Sequence, residues 1–389
     1  MTIDRDDIPA AELDPREEIE VHPKGNLILQ VGGKSLYRRV RRLIVQSDNI
    51  GNFGSRWAAA VARSEREGLF SRRRILHLPN DDANMMLVLM WLSHPWHMGK
   101  VPKQLSFRQL LAMTSLCEKY DMNLQVSPFI RRWIVPHQSK LLVPGREQWL
   151  NIAYQFGLER HYITLASHLM MNCRADKEGD LLVPGRHEKL ADHIPEEALV
   201  EIRRRRIQAL AAFFNVVYIY VEAMENEDTC QAKLPLSPHE EIQAVLKNER
   251  TMCTHTNHGE LVRYLKSHGY WPPITQAHTV PMSVNEVFQC LIATPSIRFR
   301  PVHNKSLQSA EAPSSKDTPP RDIAVDIHYY CDVGKVLAFQ LNEVKGKLEM
   351  PITRDTTDAM RVNAETSGLQ AEIQKEGILP SVPNDEQRR

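Results

Sequence analysis

Residues 24–34 read KGNLILQVGGK, and this stretch decides the fold class. Leu27, Leu29 and Val31 alternate with Ile28 and Gln30, which is the two-residue period of an extended strand. Gly32-Gly33 then gives a hairpin-type turn signal, and Ser35–Val40 is the expected returning strand. These glycines are not a phosphate loop, because no helix-opening GK[ST] pattern of full length surrounds them.

Working outward, Phe53, Trp57, Ala60 and Val61 fall at i, i+4, i+7 and i+8 and predict a helix after Ser47. Ile75–Leu78 predicts another short strand. Pro79-Asn80-Asp81-Asp82 ends it and offers carboxylate caps to a helix over Ala83–Leu92, apolar almost all round and so expected to be buried. Ser106 opens a helix carrying Phe107, Leu110, Leu111, Thr114 and Cys117, which ends near Tyr120-Asp121. Val126, Phe129, Ile130 and Trp133 mark the next, ended by Pro136. That order is α+β, with a small sheet flanked by helices.

The second half is helical by period. Trp149, Ile152, Ala153 and Phe156 form one stripe stopped by Gly157, and Tyr162, Leu165, Ala166 and Leu169 form the next. Pro195 opens a long segment through Val221. Leu261, Tyr264, Leu265 and His268 follow, and Ser283-x-x-Glu286 is a capping box. LLVPGR occurs twice, at Leu141–Arg146 and Leu181–Arg186, with unrelated flanks, which suggests two similar loops rather than a solenoid. The expected organisation is a disordered leader over 1–20, a first domain over 21–136, an all-helical extension over 137–295 and a mostly disordered tail over 296–389. From about Pro301 the composition turns to Ser, Pro, Lys, Gln, Asp and Thr, with a local strand or hairpin expected in Ile323–Gln340.

Lysine and arginine (49) nearly balance aspartate and glutamate (48), so no global field points to nucleic acid or a membrane surface. The polar first residues carry no signal-peptide core, and the apolar stretch Ala209–Val221, interrupted by Asn215, is short of the roughly 20 residues that cross a bilayer. Six cysteines scattered along 389 residues are not a secreted disulfide scaffold. A cytoplasmic or nuclear protein is expected.

VGGKSLYRRVRR, from Val31, resembles the fungal branch of the BTB/POZ family. Leu105–Ile134 is similar to that family's helix pair, with Lys119-Tyr120-Asp121 at its KYD position, and Trp149–Gly157 onward resembles the extension common in the fungal proteins. The likeness runs from about Lys24 to Leu291. It implies a BTB/POZ-like small sheet with a helical cluster, and a scaffold or adaptor activity of dimerisation and partner docking. Partners would be other proteins in a homodimer or heterodimer. Three departures stand out. Asn26 replaces the usual strand aspartate. Ser47-Asp48-Asn49-Ile50 replaces the usual Ser-Pro-x-Phe. Ser93–Ser106 contains no glutamate for the cullin-contacting pattern, so cullin-ligase recruitment is not expected.

The chain shows no GxSxG, HExxH or P-loop, so no catalytic residue and no cofactor is expected. The candidate partner or dimer-interface residues are Leu43, Ile44, Phe53, Trp57 and Val61. Cys253, His255 and His258, with Cys230 from across a loop, offer zinc-type donors, but C-x-H-x-x-H lacks a second pair at standard spacing. A polar loop is the expectation there, and no metal site is assigned. Arg203–Arg206 follows Glu196, Glu197 and Glu201 in a helix and is expected to be a solvated face with i,i+3 and i,i+4 pairs. A zinc- or DNA-associated regulator built on these two features is the alternative reading. Met85, Met86, Met90 and Trp91 are expected to pack the core.

Overall fold

The structure, a computed structural model, describes residues 18–33, 41–47, 57–59, 62, 74–226, 229–231, 240–296 and 328–369. The chain is mixed α+β and divides into two compact units: 1–168 with 190–201 and 351–389, and 169–189 with 202–350.

The first unit is built on strands β1 (Glu18–Glu20), β2 (Leu27–Val31), β3 (Arg41–Val45) and β4 (Arg74–Leu78), in the order β1-β3-β2-β4. β2 pairs antiparallel with β3 (Leu29 opposite Leu43) and parallel with β4 (Leu29 opposite Leu76). The central position explains why Ile28 is buried along with Leu27, Leu29 and Val31. Asn26 and Ser47 join the open end of the hairpin through Asn26 Nδ2 to Ser47 Oγ and Ser47 N to Asn26 Oδ1, both 2.9 Å. The returning strand is therefore Arg41–Val45; residues 35–40 lie outside the described residues. The leader expected over 1–20 gives up its last three residues to β1, parallel to β3 with Glu18 paired to Arg42 at 3.2 Å. Three residues are too few to carry a periodic signal.

Helix α1 (Ala83–Ser93) starts on Asp82, whose carboxylate accepts from the backbone N–H of Asn84 and Met85 at 2.8 Å. Met85 through Met90 are buried. Helix α2 (Phe107–Tyr120) opens with a capping box between Ser106 and Gln109 and closes on Asp121 in the left-handed region (φ 57°). Lys119 Nζ and Tyr120 Oη donate to the two oxygens of buried Asp81 at 2.6 and 2.5 Å. The residues that end β4 are thereby tied to the last turn of α2. Burial, with Asp81 beside it, raises the Tyr120 phenol above its ordinary range.

Helix α3 (Asn123–Gln138) carries Pro128 and Pro136 inside it and runs two residues past the expected stop. Helix α4 (Trp149–Gln155) is closed by Gly157 at φ 70°. Trp149 lies 6.2 Å from the Phe107 ring of α2, so the boundary expected at residue 136 does not separate α4 from the first unit. Helices α5 (Glu159–Asn172) and α6 (Glu196–Asn226) are each divided between the units.

The second unit holds most of α6, α7 (Glu240–Ser267), α8 (Val284–Ile292) and α9 (Val333–Gly346), with the short pair β5 (Arg174–Ala175) and β6 (Leu181–Leu182). Its core combines Leu210, Phe213, Phe214 and Val217 with Leu261, Leu265, Val287, Phe288 and Leu291. Helix α6 is long and apolar enough to cross a membrane by length and composition, unlike the shorter stretch seen in the sequence. Its apolar positions line this core. Ser283 and Glu286 form the expected capping box of α8.

Both LLVPGR segments make the same turn. Arg146 N donates to Val143 O at 3.1 Å and Arg186 N to Val183 O at 2.9 Å, with Gly145 and Gly185 at φ 91° and 73°. Proline at the second position and a positive-φ glycine at the third is the type II preference, so two similar loops account for the repeat.

The tail expected over 296–389 is corrected by three elements: a 3-10 turn at Tyr329–Cys331, α9, and α10 (Arg354–Ser367). Ile323–Gln340 was expected to be a strand or hairpin; its described part is turn and helix. Val333, Leu337 and Leu341 of α9 join the second unit's core at helical spacing. Helix α10 belongs to the first unit and adds polar partners at α4's C-terminus. Asn363 Nδ2 donates to Tyr154 O and Ser367 Oγ to Phe156 O, both at 3.0 Å, and Asn123 Nδ2 donates to Gln155 O at 3.0 Å. These are the carbonyls a helix end leaves without intrahelical partners.

Candidate functional site

Of the five interface candidates, Leu43, Ile44 and Trp57 are only 0%, 8% and 1% exposed. Leu43 and Ile44 lie on an inner strand, and Trp57 meets Tyr120 edge-on at 5.1 Å between ring centroids. They are corrected to core residues, since side chains already covered by their own chain offer no surface to a second. Phe53 and Val61 lie outside the described residues. Large apolar side chains that are exposed in the first unit include Trp96 (55%) and Met98 (41%), on the turn Pro95–Lys100. The Trp96 ring is held by His22, His94 and His97 at centroid distances of 5.1, 5.6 and 6.2 Å.

The arginine run is not a solvated face. Arg203 pairs with Asp180 at 3.1 Å, and Arg205 is mostly buried and paired with Glu349. Arg206 is buried and donates to the carbonyls of Val280 and Met282 at 2.7 Å and of Cys173 at 3.4 Å. Burial lowers its pKa from the ordinary arginine value. Only Arg204 is exposed, so the run does not form the continuous basic patch that nucleic acid would need.

The cysteine–histidine reading is corrected in a different way. Cys253 and His255 stand about 200° apart on α7, so they cannot converge. His255 is exposed, and His258 Nε2 turns to Glu225 at 3.1 Å. Cys253 instead meets Cys230 and two residues from the stretch expected to be tail, His328 and Cys331, all four buried and with donor atoms within 4.8 Å of one another. Cys230 Sγ is 3.4 Å from His328 Nδ1 and 3.7 Å from Cys331 Sγ, and Cys331 Sγ is 3.8 Å from His328 Nδ1. His328 and Cys331 sit three apart around the Tyr329–Cys331 turn, where i and i+3 side chains eclipse and share a side.

Second-layer groups hold this cluster. Asn257, one turn after Cys253, donates Nδ2 to Cys253 Sγ at 3.6 Å and to Cys331 O at 3.0 Å. Arg250 donates to Cys230 O at 2.9 Å. Asp332 caps α9 and accepts from Ser296 Oγ at 2.6 Å, which fixes the residue next to Cys331. Hydrogen bonds with Cys230 and Cys253 hold Cys331 far below the ordinary thiol range, and those with Cys230 and Cys331 push Cys253 far above it. Burial first, and then the Cys331 and Cys253 sulfurs, lift the Tyr220 phenol to about 12.

A concavity of about 1080 Å³ lies over the Val183–His187 loop and the start of α8. Its charged lining includes Arg174 and Glu286, which are already paired. No protein-family model matches the chain, and no curated protein or solved structure matches it.

Proposed function

We propose that the chain is a non-enzymatic protein-binding module of BTB/POZ type, which pairs with a second polypeptide and acts as a scaffold or adaptor. The observation that carries this reading is the tie between its two signature stretches. Gly32 and Gly33 of the VGGK stretch follow the central strand β2, the KYD residues end α2, and Asp81 just after β4 bonds Lys119 and Tyr120 of that motif. That the two stretches pack into one body supports this reading. The missing glutamate in Ser93–Ser106 favours docking without cullin recruitment.

Trp96 is the exposed side chain best suited to anchor a partner. A large aromatic fixed by neighbouring rings gives up little entropy on being covered, and such residues dominate interface energies. Immobilised full chain is expected to capture a specific polypeptide from extracts of the cells that make it. Trp96→Asp should weaken that capture by at least about tenfold with the circular dichroism spectrum unchanged. Capture of nothing beyond what an unrelated folded protein retains would overturn the reading.

A further inference from the structure

We propose that Cys230, Cys253, His328 and Cys331 are the four ligands of a structural zinc ion in the second unit. Four ligands at zinc distances, about 2.3 Å for sulfur and 2.0–2.1 Å for nitrogen, placed at tetrahedral corners are separated by about 3.8 Å sulfur to sulfur and about 3.6 Å sulfur to nitrogen. The separations here are 3.7 Å for Cys230–Cys331 and 3.4 and 3.8 Å from His328 Nδ1 to Cys230 and Cys331. Those lengths fit an ion at the centre. They do not fit a disulfide, whose sulfurs lie about 2.05 Å apart.

The donor set narrows the metal. Three thiolates and one imidazole in a tetrahedron are soft ligands that suit zinc and exclude magnesium or calcium. All four side chains are buried and all four corners are filled by protein, which leaves no open position for a substrate and makes the role structural. Asn257 is the positioning residue, since its amide bonds one ligand sulfur and the backbone of another ligand.

The ligands come from three separated places: the segment after α6, the middle of α7, and the turn before α9, with Cys331 101 positions after Cys230. The ion closes that long loop and fastens the approach to α9, whose Val333 follows the last ligand by two residues and enters the core.

Metal analysis of the full chain, purified without chelator, tests the assignment. About one zinc per chain is expected, because a structural site is close to full. Cys253→Ser and His328→Ala should each bring it below about a tenth, whereas His255→Ala and His258→Ala should leave it unchanged. Asn257→Ala should lower zinc affinity about 10–100-fold. Should the ligand variants fail to fold, cobalt substituted into the unaltered chain decides the matter, since tetrahedral three-thiolate ligation gives intense d–d bands with sulfur-to-metal charge transfer. Less than about one zinc per four chains, full zinc in Cys253→Ser, a weak octahedral cobalt spectrum, or a Cys230–Cys331 disulfide in the mapped protein would each overturn it.

Discussion

Gly157→Val is expected to lower the stability of the first unit by roughly 4 kcal/mol or more and to release the C-terminal helix α10. Two costs combine. Gly157 sits at φ 70°, a conformation that a β-branched residue tolerates poorly. A Cβ there would also lie 2.4 Å from both Met360 O and Ala364 N, backbone atoms of α10 that cannot swing aside like a side-chain tip. Displacing α10 removes Asn363 from Tyr154 O and Ser367 from Phe156 O, so the end of α4 loses its caps in the same event. Urea denaturation gives the loss of stability, and hydrogen exchange over residues 354–367 shows whether α10 has come free. Protection equal to that of the unaltered chain would mean the close approach is not present in solution.

Arg206→Ala should destabilise the second unit by roughly 3–5 kcal/mol. Arg206 is 1% exposed, and its two 2.7 Å bonds serve the carbonyls on either side of Pro281. Alanine would leave those carbonyls buried without that donor and open a cavity against α6. Arg206→Lys keeps the charge but concentrates the donors at one point, whereas the planar fork reaches Val280 and Met282 together, so lysine should recover only part of the loss. Arg206→Met, which nearly keeps the volume, should stay close to alanine if the hydrogen bonds matter more than packing. Denaturation midpoints of the four proteins separate these outcomes.

The sequence disclosed what is local and periodic. The alternation in Leu27–Val31, the Ser106 and Ser283 caps and the stop at Gly157 depend on a few neighbouring residues, and each occurs at its expected position. Interface candidates were harder to place. A stripe such as that of Trp57 reports an apolar face without saying whether the same chain or another covers it, and here Tyr120 does. The late helices were hidden by averaging. The Ser- and Pro-rich composition around residues 301–320 coloured the whole stretch, although Val333, Leu337 and Leu341 already stood at i, i+4 and i+8.

The metal centre was half visible for a related reason. Cys230 and Cys253 drew notice, but the neighbouring His255 and His258 were the natural partners only by proximity in sequence. A helix turns them away from Cys253, and the true companions lie some 75 residues further on. The H-x-x-C spacing of His328 and Cys331 was the available signal, because a single 3-10 turn brings those positions together. Successive helix positions about 100° apart already kept the four arginines off one face, but spacing does not say which positions meet the core, and here Arg206 is buried and Arg205 mostly covered.

The native mass of the chain, isolated in one step from the cells that make it and measured by light scattering, tests the account most directly. One chain weighs 44.7 kDa. A species heavier by at least one further polypeptide is predicted, whether a second copy or a different protein. A solitary particle at the mass of a single chain, unchanged across micromolar concentrations, would contradict it.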